Sequence, residues 1–113
     1  MLTITFDDIR NAYAALADAL TVALETAETA ATVKAGLETA RAAALSAGEI
    51  EGKNEAQREA NLRLRLLGYY SDLEAAEKRS RRSRHEVELA RLGVDAVRAQ
   101  LRLVELAGPT AAE

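Results

Sequence analysis

Leu73, Ala76, Ser80, Ser83, Val87, Ala90, Val94, Val97, Leu101 and Val104 stand alternately three and four residues apart, without a slip. Side chains so spaced share one face of a right-handed helix, and a face of that kind is a seam that must lie against another helix, from the same chain or another copy. A second ladder, Leu89, Leu92, Ala96, Ala99, Leu103 and Leu106, shares the same stretch. Two apolar stripes require two neighbours. One is expected to be the first helix of the chain, the other a short second helix or a second protomer. The spacing therefore predicts an all-α fold: an elongated antiparallel helical hairpin, coiled-coil-like and self-associating. The residues expected at the oligomer or partner interface are Val87, Ala90, Val94, Val97, Leu101 and Val104 of the first ladder, with Leu103 and Leu106 of the second.

Punctuation along the chain divides this hairpin. Thr5-Phe-Asp-Asp8 forms a capping box, so a helix is expected over about 6–47. Its seam is read as Ile9, Tyr13, Leu16, Leu20, Ala23, Ala27, Ala30, Lys34, Leu37, Arg41 and Ala44, with charge intruding at Lys34 and Arg41. Gly36 lies within it as a candidate bend. Residues 48–54 are the expected turn, with Gly48 suited to the left-handed position after the helix, Ile50 as an inward plug and Asn54 as the next N-cap. A short helix follows over about 55–67. The alternation of Leu62, Leu64 and Leu66 would also suit a strand, but a single strand has nothing to pair with. Gly68 and the Ser71-to-Glu74 capping box place a kink at 68–71, and the last helix covers about 72–107. Gly93 sits between its two stripes, where a close crossing is expected. Gly108-Pro109 ends the helix, leaving a tail over 108–113.

The chain of 113 residues supports one domain, and its apolar side chains are mostly Leu, Ala and Val, with one Phe, three Tyr and no Trp. At about 25 cal/mol per Å² of apolar surface buried, an alanine-rich hairpin is marginal alone, and self-association is the expected remedy. The absence of Cys excludes disulfides and thiolate metal sites and fits a reducing compartment. Met1 to Asp8 carries neither a basic n-region nor an apolar h-region, and no apolar stretch is long enough to span a bilayer, so neither secretion nor membrane insertion is expected. A cytoplasmic location follows.

The formal net charge of −3 names no partner, but the charge is unevenly placed. Lys78, Arg79, Arg81, Arg82 and Arg84 crowd into eight residues that end at His85. As a cationic collar, they are candidate contacts for anions or the phosphates of nucleic acid. Alternatively they are a solvated segment paired with Glu25 and Glu28 of the first helix and with the flanking Glu74, Glu77, Glu86 and Glu88, since the run holds no base-stacking aromatics. His85 has no second His or Cys with which to complete a metal site, and no Glu-x-x-His pair exists for a carboxylate one. No catalytic or metal residue and no cofactor is assigned. Gly52-Lys53-Asn54 opens a helix and reads as an N-cap sooner than an anion cradle, because a P-loop needs fuller glycine spacing and a preceding strand. Tyr69 and Tyr70 are read either as a partner hot spot or as a local plug.

Gly52, Lys53, Asn54 and Arg58, followed by Leu62, Tyr70 and a charged heptad helix, resemble small coiled-coil proteins of unassigned function from tailed phages and prophages, which carry a Gly-Lys-Asn-x-x-x-Arg signature. The match covers about residues 50–106. The resemblance implies a viral origin, hence a host cytoplasm, and implies no activity. Asn54 would then cap the helix while Arg58 closes over the loop onto Glu55 or a loop carbonyl. The function expected is that of a non-enzymatic interaction protein that self-associates and binds another macromolecule, a protein in the first instance. The alternative is an accessory nucleic-acid binder acting through 78–85.

Overall fold

The computed structural model describes residues 3–108; the tail over 110–113 and Pro109 lie outside the described residues. The chain is an all-α antiparallel hairpin of three helices, α1 (Phe6–Ser46), α2 (Glu55–Arg65) and α3 (Leu67–Ala107). It divides into two compact units. One joins the start of α1, up to Leu24, to α3 from Arg82 onward; the other is Glu25–Arg81.

Each helix begins and ends where the local chemistry dictates. Thr5 Oγ1 accepts from the Asp8 N–H at 3.1 Å while Asp8 Oδ2 accepts from the Thr5 N–H at 2.8 Å, which satisfies two donors at the start of α1. At its other end Gly48 has φ +68°, and its N–H donates to the Leu45 carbonyl while the Glu49 N–H reaches back to Ala44. This is a Schellman closure, and it needs a residue that tolerates a left-handed backbone. Gly108 (φ +73°) closes α3 onto Val104 and Glu105 in a similar way.

In the Glu25–Arg81 unit, Leu37 and Ala44 of α1 pack with Leu62 of α2 and with Leu66, and Ala40, Ile50, Tyr70 and Leu73 close around them. Leu62 is the most deeply buried large side chain, 1% exposed. In the other unit Val87 and Val94 are buried, with Ala90, Val97 and Leu101 half-buried on the same face of α3. The α3 ladder is thus the inward face from Leu73 to Leu101, whereas Val104 is exposed.

The α1 seam differs from the expected one at alternate positions. Ile9, Leu16, Ala23, Ala30, Leu37 and Ala44 do face inward, but the positions between them are Ala12, Ala19, Thr26, Val33 and Ala40. Tyr13, Leu20, Ala27 and Lys34 lie exposed one residue further round, and Arg41 is half-buried at the edge. The displaced ladder removes the charge intrusion: Val33 and Ala40 stand where Lys34 and Arg41 were expected.

The break between α2 and α3 is a single residue, Leu66 (φ −104°, ψ 23°), rather than the span 68–71. Hydrogen bonds run across it, Leu66 N–H to Leu62 and Tyr70 N–H to Leu66. Gly68 is helical, and Ser71 and Glu74 lie within α3 instead of capping it. The physical reason is that Leu62, Leu66, Tyr70 and Leu73 all face the core. Helical spacing of four, four and three keeps them on one face, whereas a break at 68–71 would turn Leu73 away. α1 runs unbroken through Gly36, and at Gly93 no atom comes within 4 Å of where a Cβ would stand, so no close crossing occurs there.

Truncating the best-buried anchor should be costly. Leu62→Ala is expected to lower the unfolding free energy by about 3 kcal/mol, the usual cost of a buried Leu-to-Ala cavity. Chemical denaturation followed by circular dichroism measures this; a change below about 1 kcal/mol would show that Leu62 does not anchor the unit.

Candidate functional site

The residues that carry the Gly-Lys-Asn-x-x-x-Arg spacing sit together at the elbow of the hairpin, where the 49–54 loop lies along α2. Asn54, extended at φ −146°, accepts the Gln57 N–H on its side-chain oxygen at 2.8 Å. Gln57 Oε1 in turn accepts the Lys53 N–H at 2.6 Å. Arg58 Nη1 donates to the Gly52 carbonyl at 3.3 Å, and Asn61 Nδ2 donates to the Glu51 carbonyl at 2.6 Å. Arg65 pairs with Glu49. Gln57, Asn61 and Arg65 are four residues apart, so one polar stripe of α2 grips the loop turn by turn. Gly52 is required for closeness: a Cβ there would stand 2.7 Å from both the backbone nitrogen and Cγ of Arg58.

A second fastening joins α1 to α2 and α3. Arg41 donates to Glu59 from both terminal nitrogens, at 2.7 and 3.0 Å, and also to the Tyr70 hydroxyl. The forked guanidinium suits this bidentate geometry, which an ammonium cannot reproduce. The Arg41 hydrogen bond holds the Glu59 carboxyl below its ordinary value of 4.5, and Arg41 is raised by the same bond and by Tyr70. Arg63 lies over the Tyr70 ring at 4.6 Å. Tyr70 is therefore held at its hydroxyl by one arginine and at its face by another, and it packs on the core. Tyr69 is exposed.

These groups are chemically spent on one another: the Glu59 oxygens, the Tyr70 hydroxyl and the loop carbonyls already accept from named donors. Beside these exposed polar groups the elbow also presents an apolar patch. Leu64 and Leu67 are 71% and 62% exposed and border an open groove with Ala60, Arg63 and Tyr70. The sequence reading missed the Arg41–Glu59 fastening, and also the role of Gln57 and Asn61, whose four-residue spacing to Arg65 was the available signal.

Apart from Val104, which is on the first ladder but exposed, the expected interface residues fall into two groups. Val87, Ala90, Val94, Val97 and Leu101 form the inward face of α3. Leu103 and Leu106 belong to the second ladder, in which Leu89, Leu92, Ala96, Ala99, Leu103 and Leu106 are all exposed. At about 100° per residue the second ladder is on nearly the opposite side of α3 from the first. In the basic run, Lys78, Arg79, Arg81, Arg82, Arg84 and His85 are exposed, while Ser83 is buried and Ser80 half-buried. Within their own units, Lys78 and Arg81, and likewise Arg82 and Arg84, make no ion pair among the described residues; Glu88 pairs with Arg91 instead, at 3.2 Å. Among the described residues no three His, Asp or Glu side chains are grouped to hold a metal ion, and no helix is long and apolar enough to cross a membrane. No protein-family model matches the chain, and neither the curated proteins nor the solved structures provide a match.

Two measurements test the elbow. Gly52→Ala should destabilise the protein by about 1–3 kcal/mol through overpacking against the Arg58 backbone, while Gly36→Ala, into open space, should stabilise it by up to about 1 kcal/mol. Equal thermal shifts for the two variants would refute the close approach. Because the Glu59 value is lowered on folding, its contribution is present above the ordinary carboxylate value and lost as pH falls through the lowered one. A stability profile below pH 4.5 should therefore be shallower for Glu59→Gln than for the unsubstituted chain.

Proposed function

We propose that this protein is a non-enzymatic helical interaction protein that self-associates and binds another macromolecule, a protein in the first instance. The observation that carries this reading is the exposed second ladder of α3. Its six positions keep heptad spacing without a polar interruption, and its four leucines are between 48% and 75% exposed. A helix of a single hairpin needs one apolar stripe, and a second, contiguous and uncovered, is the mark of a surface that meets another helix. The resemblance of residues 50–106 to coiled-coil proteins of tailed phages and prophages accords with this reading and suggests a viral origin.

The test separates the two faces of α3. Leu92→Asp and Leu103→Asp place charge on the outer ladder, and each is expected to reduce the mass in light scattering to that of one chain while leaving helicity unchanged. Val94→Asp places an unpaired charge in the covered seam and is expected to melt the helices as well. An unsubstituted chain that remains monomeric at high concentration, with or without its partner protein, overturns the reading.

A second reading is supported by the exposure of Lys78, Arg81, Arg82 and Arg84 without ion pairs to the described residues of their own units. On this reading the run binds nucleic-acid phosphates by counterion release. Retention of DNA or RNA should then fall steeply with salt and disappear when Arg79, Arg81, Arg82 and Arg84 are replaced by Ala. Absent or salt-indifferent binding discards it.

A further inference from the structure

We infer that the outer ladder of α3 is covered by the same ladder of a second copy of this chain, running antiparallel and centred between Ala96 and Ala99. The inference rests on the self-association proposed above and adds the occupant, its direction and its register.

The direction follows from the charges that flank the ladder. In heptad terms Leu89, Ala96 and Leu103 are a positions, and Leu92, Ala99 and Leu106 are d positions. The residues just before each a position, at g, are Glu88, Asp95 and Arg102; those just after each d position, at e, are Gly93, Gln100 and Ala107. A parallel pair brings g of one helix to e of the next, and here every such pairing sets a charge against a neutral residue. An antiparallel pair brings g to g. In the register that layers Leu89 on the second copy's Leu106, Leu92 on its Leu103 and Ala96 on its Ala99, the g residue Asp95 meets the second copy's Arg102. The two-fold axis makes the reciprocal pair as well. Both side chains are available, since Asp95 and Arg102 are exposed and make no ion pair with the described residues of their own unit.

The same ladder read toward the start of the helix points the same way. His85 and Arg82 continue it at the four- and three-residue steps before Leu89, and both are exposed. A parallel pair would stack Arg82 on Arg82 at a core position, where like charges oppose association. The antiparallel pair carries them to opposite ends, beyond the last leucine layer. The small residues Ala96 and Ala99 occupy the centre, where two helices on a two-fold axis approach most closely, and the leucines fill the layers outside.

Because the chain contains no cysteine, single cysteines report direction without background. Leu89→Cys and Leu106→Cys chains, oxidised separately and after refolding together, provide the measurement. The expected result is a disulfide-linked dimer only in the mixture, because Leu89 and the second copy's Leu89 would be about 25 Å apart along an antiparallel pair at about 1.5 Å per residue. Linkage within each variant alone overturns the antiparallel direction and leaves self-association standing. A dimeric unsubstituted chain with no linkage in any arm overturns the use of this ladder, and a monomeric one overturns self-association itself. A charge exchange that disturbs no core residue gives an independent reading. Asp95→Arg and Arg102→Asp singly should each weaken the dimer by about tenfold, since two symmetric pairs become two repulsions, and together they should restore it. Failure of the double variant to recover refutes the register.

Discussion

A seam built from alanine, serine and valine removes little area from water at each step, so it holds two helices together weakly per residue and specifies their register only loosely. Slipping such a pair by one heptad would replace one small residue with another at many positions, as at Ala12/Ala19, Ala23/Ala30 and Ala76/Ser83. The elbow removes that freedom. In the Glu25–Arg81 unit, Leu37, Ala44, Leu62 and Leu66 form the one place where large side chains converge, and Arg41 is locked to both Glu59 and Tyr70. A heptad slip would break the Arg41 fork and leave Leu62 with the wrong partners. Within the Glu25–Arg81 unit the register of the helices therefore depends on the elbow, and the elbow depends on the loop lying close against α2.

That closeness explains the local sequence. Glycine at 52 is dictated by the Arg58 backbone, Asn54 by the donors at the start of α2, and Gln57, Asn61 and Arg65 by the polar groups of the loop they bind. The Gly-Lys-Asn-x-x-x-Arg spacing thus has a full structural account as a clasp: the loop is ordered by side-chain hydrogen bonds where no sheet or disulfide is present to order it. Its hydrogen bonds are made between the loop and α2 at the surface, and beside them the apolar side of α2, with Leu64 and Leu67, also faces solvent.

Much of this was legible in the residues, in proportion to how local the signal was. The caps at Thr5, Gly48 and Asn54 each depend on atoms within four residues, and each could be read directly. The α3 seam was legible because bulky and small residues separate cleanly there. The α1 seam was only half legible. Two ladders share Ile9, Leu16, Ala23, Ala30, Leu37 and Ala44, and in an alanine-rich helix the intervening positions can be taken on either side. Tyr13 and Leu20 drew the reading toward the bulkier side, while Lys34 and Arg41 were the signal against it. The break at Leu66 was hidden for the opposite reason. Gly68 and the Ser71–Glu74 box are strong local stop and start signals, overridden by a core that needs Tyr70 and Leu73 on the same face as Leu62.

The two faces of α3 place different demands on one helix. The inward face must fit α1 within the chain, and it does so with valines separated by alanine and serine, Ser83 among the buried residues. The outward face carries leucine at its ends and alanine at its centre, a contiguous exposed apolar patch of the kind that marks an interaction surface. On the proposed pairing the same distribution is what a two-fold antiparallel contact requires, and the change from Leu89 to His85 and Arg82 along the ladder marks where the contact must stop. On that pairing, extending the overlap by two more layers would bring Arg82 into the seam, so the basic run would limit the association whether or not it also meets a polyanion.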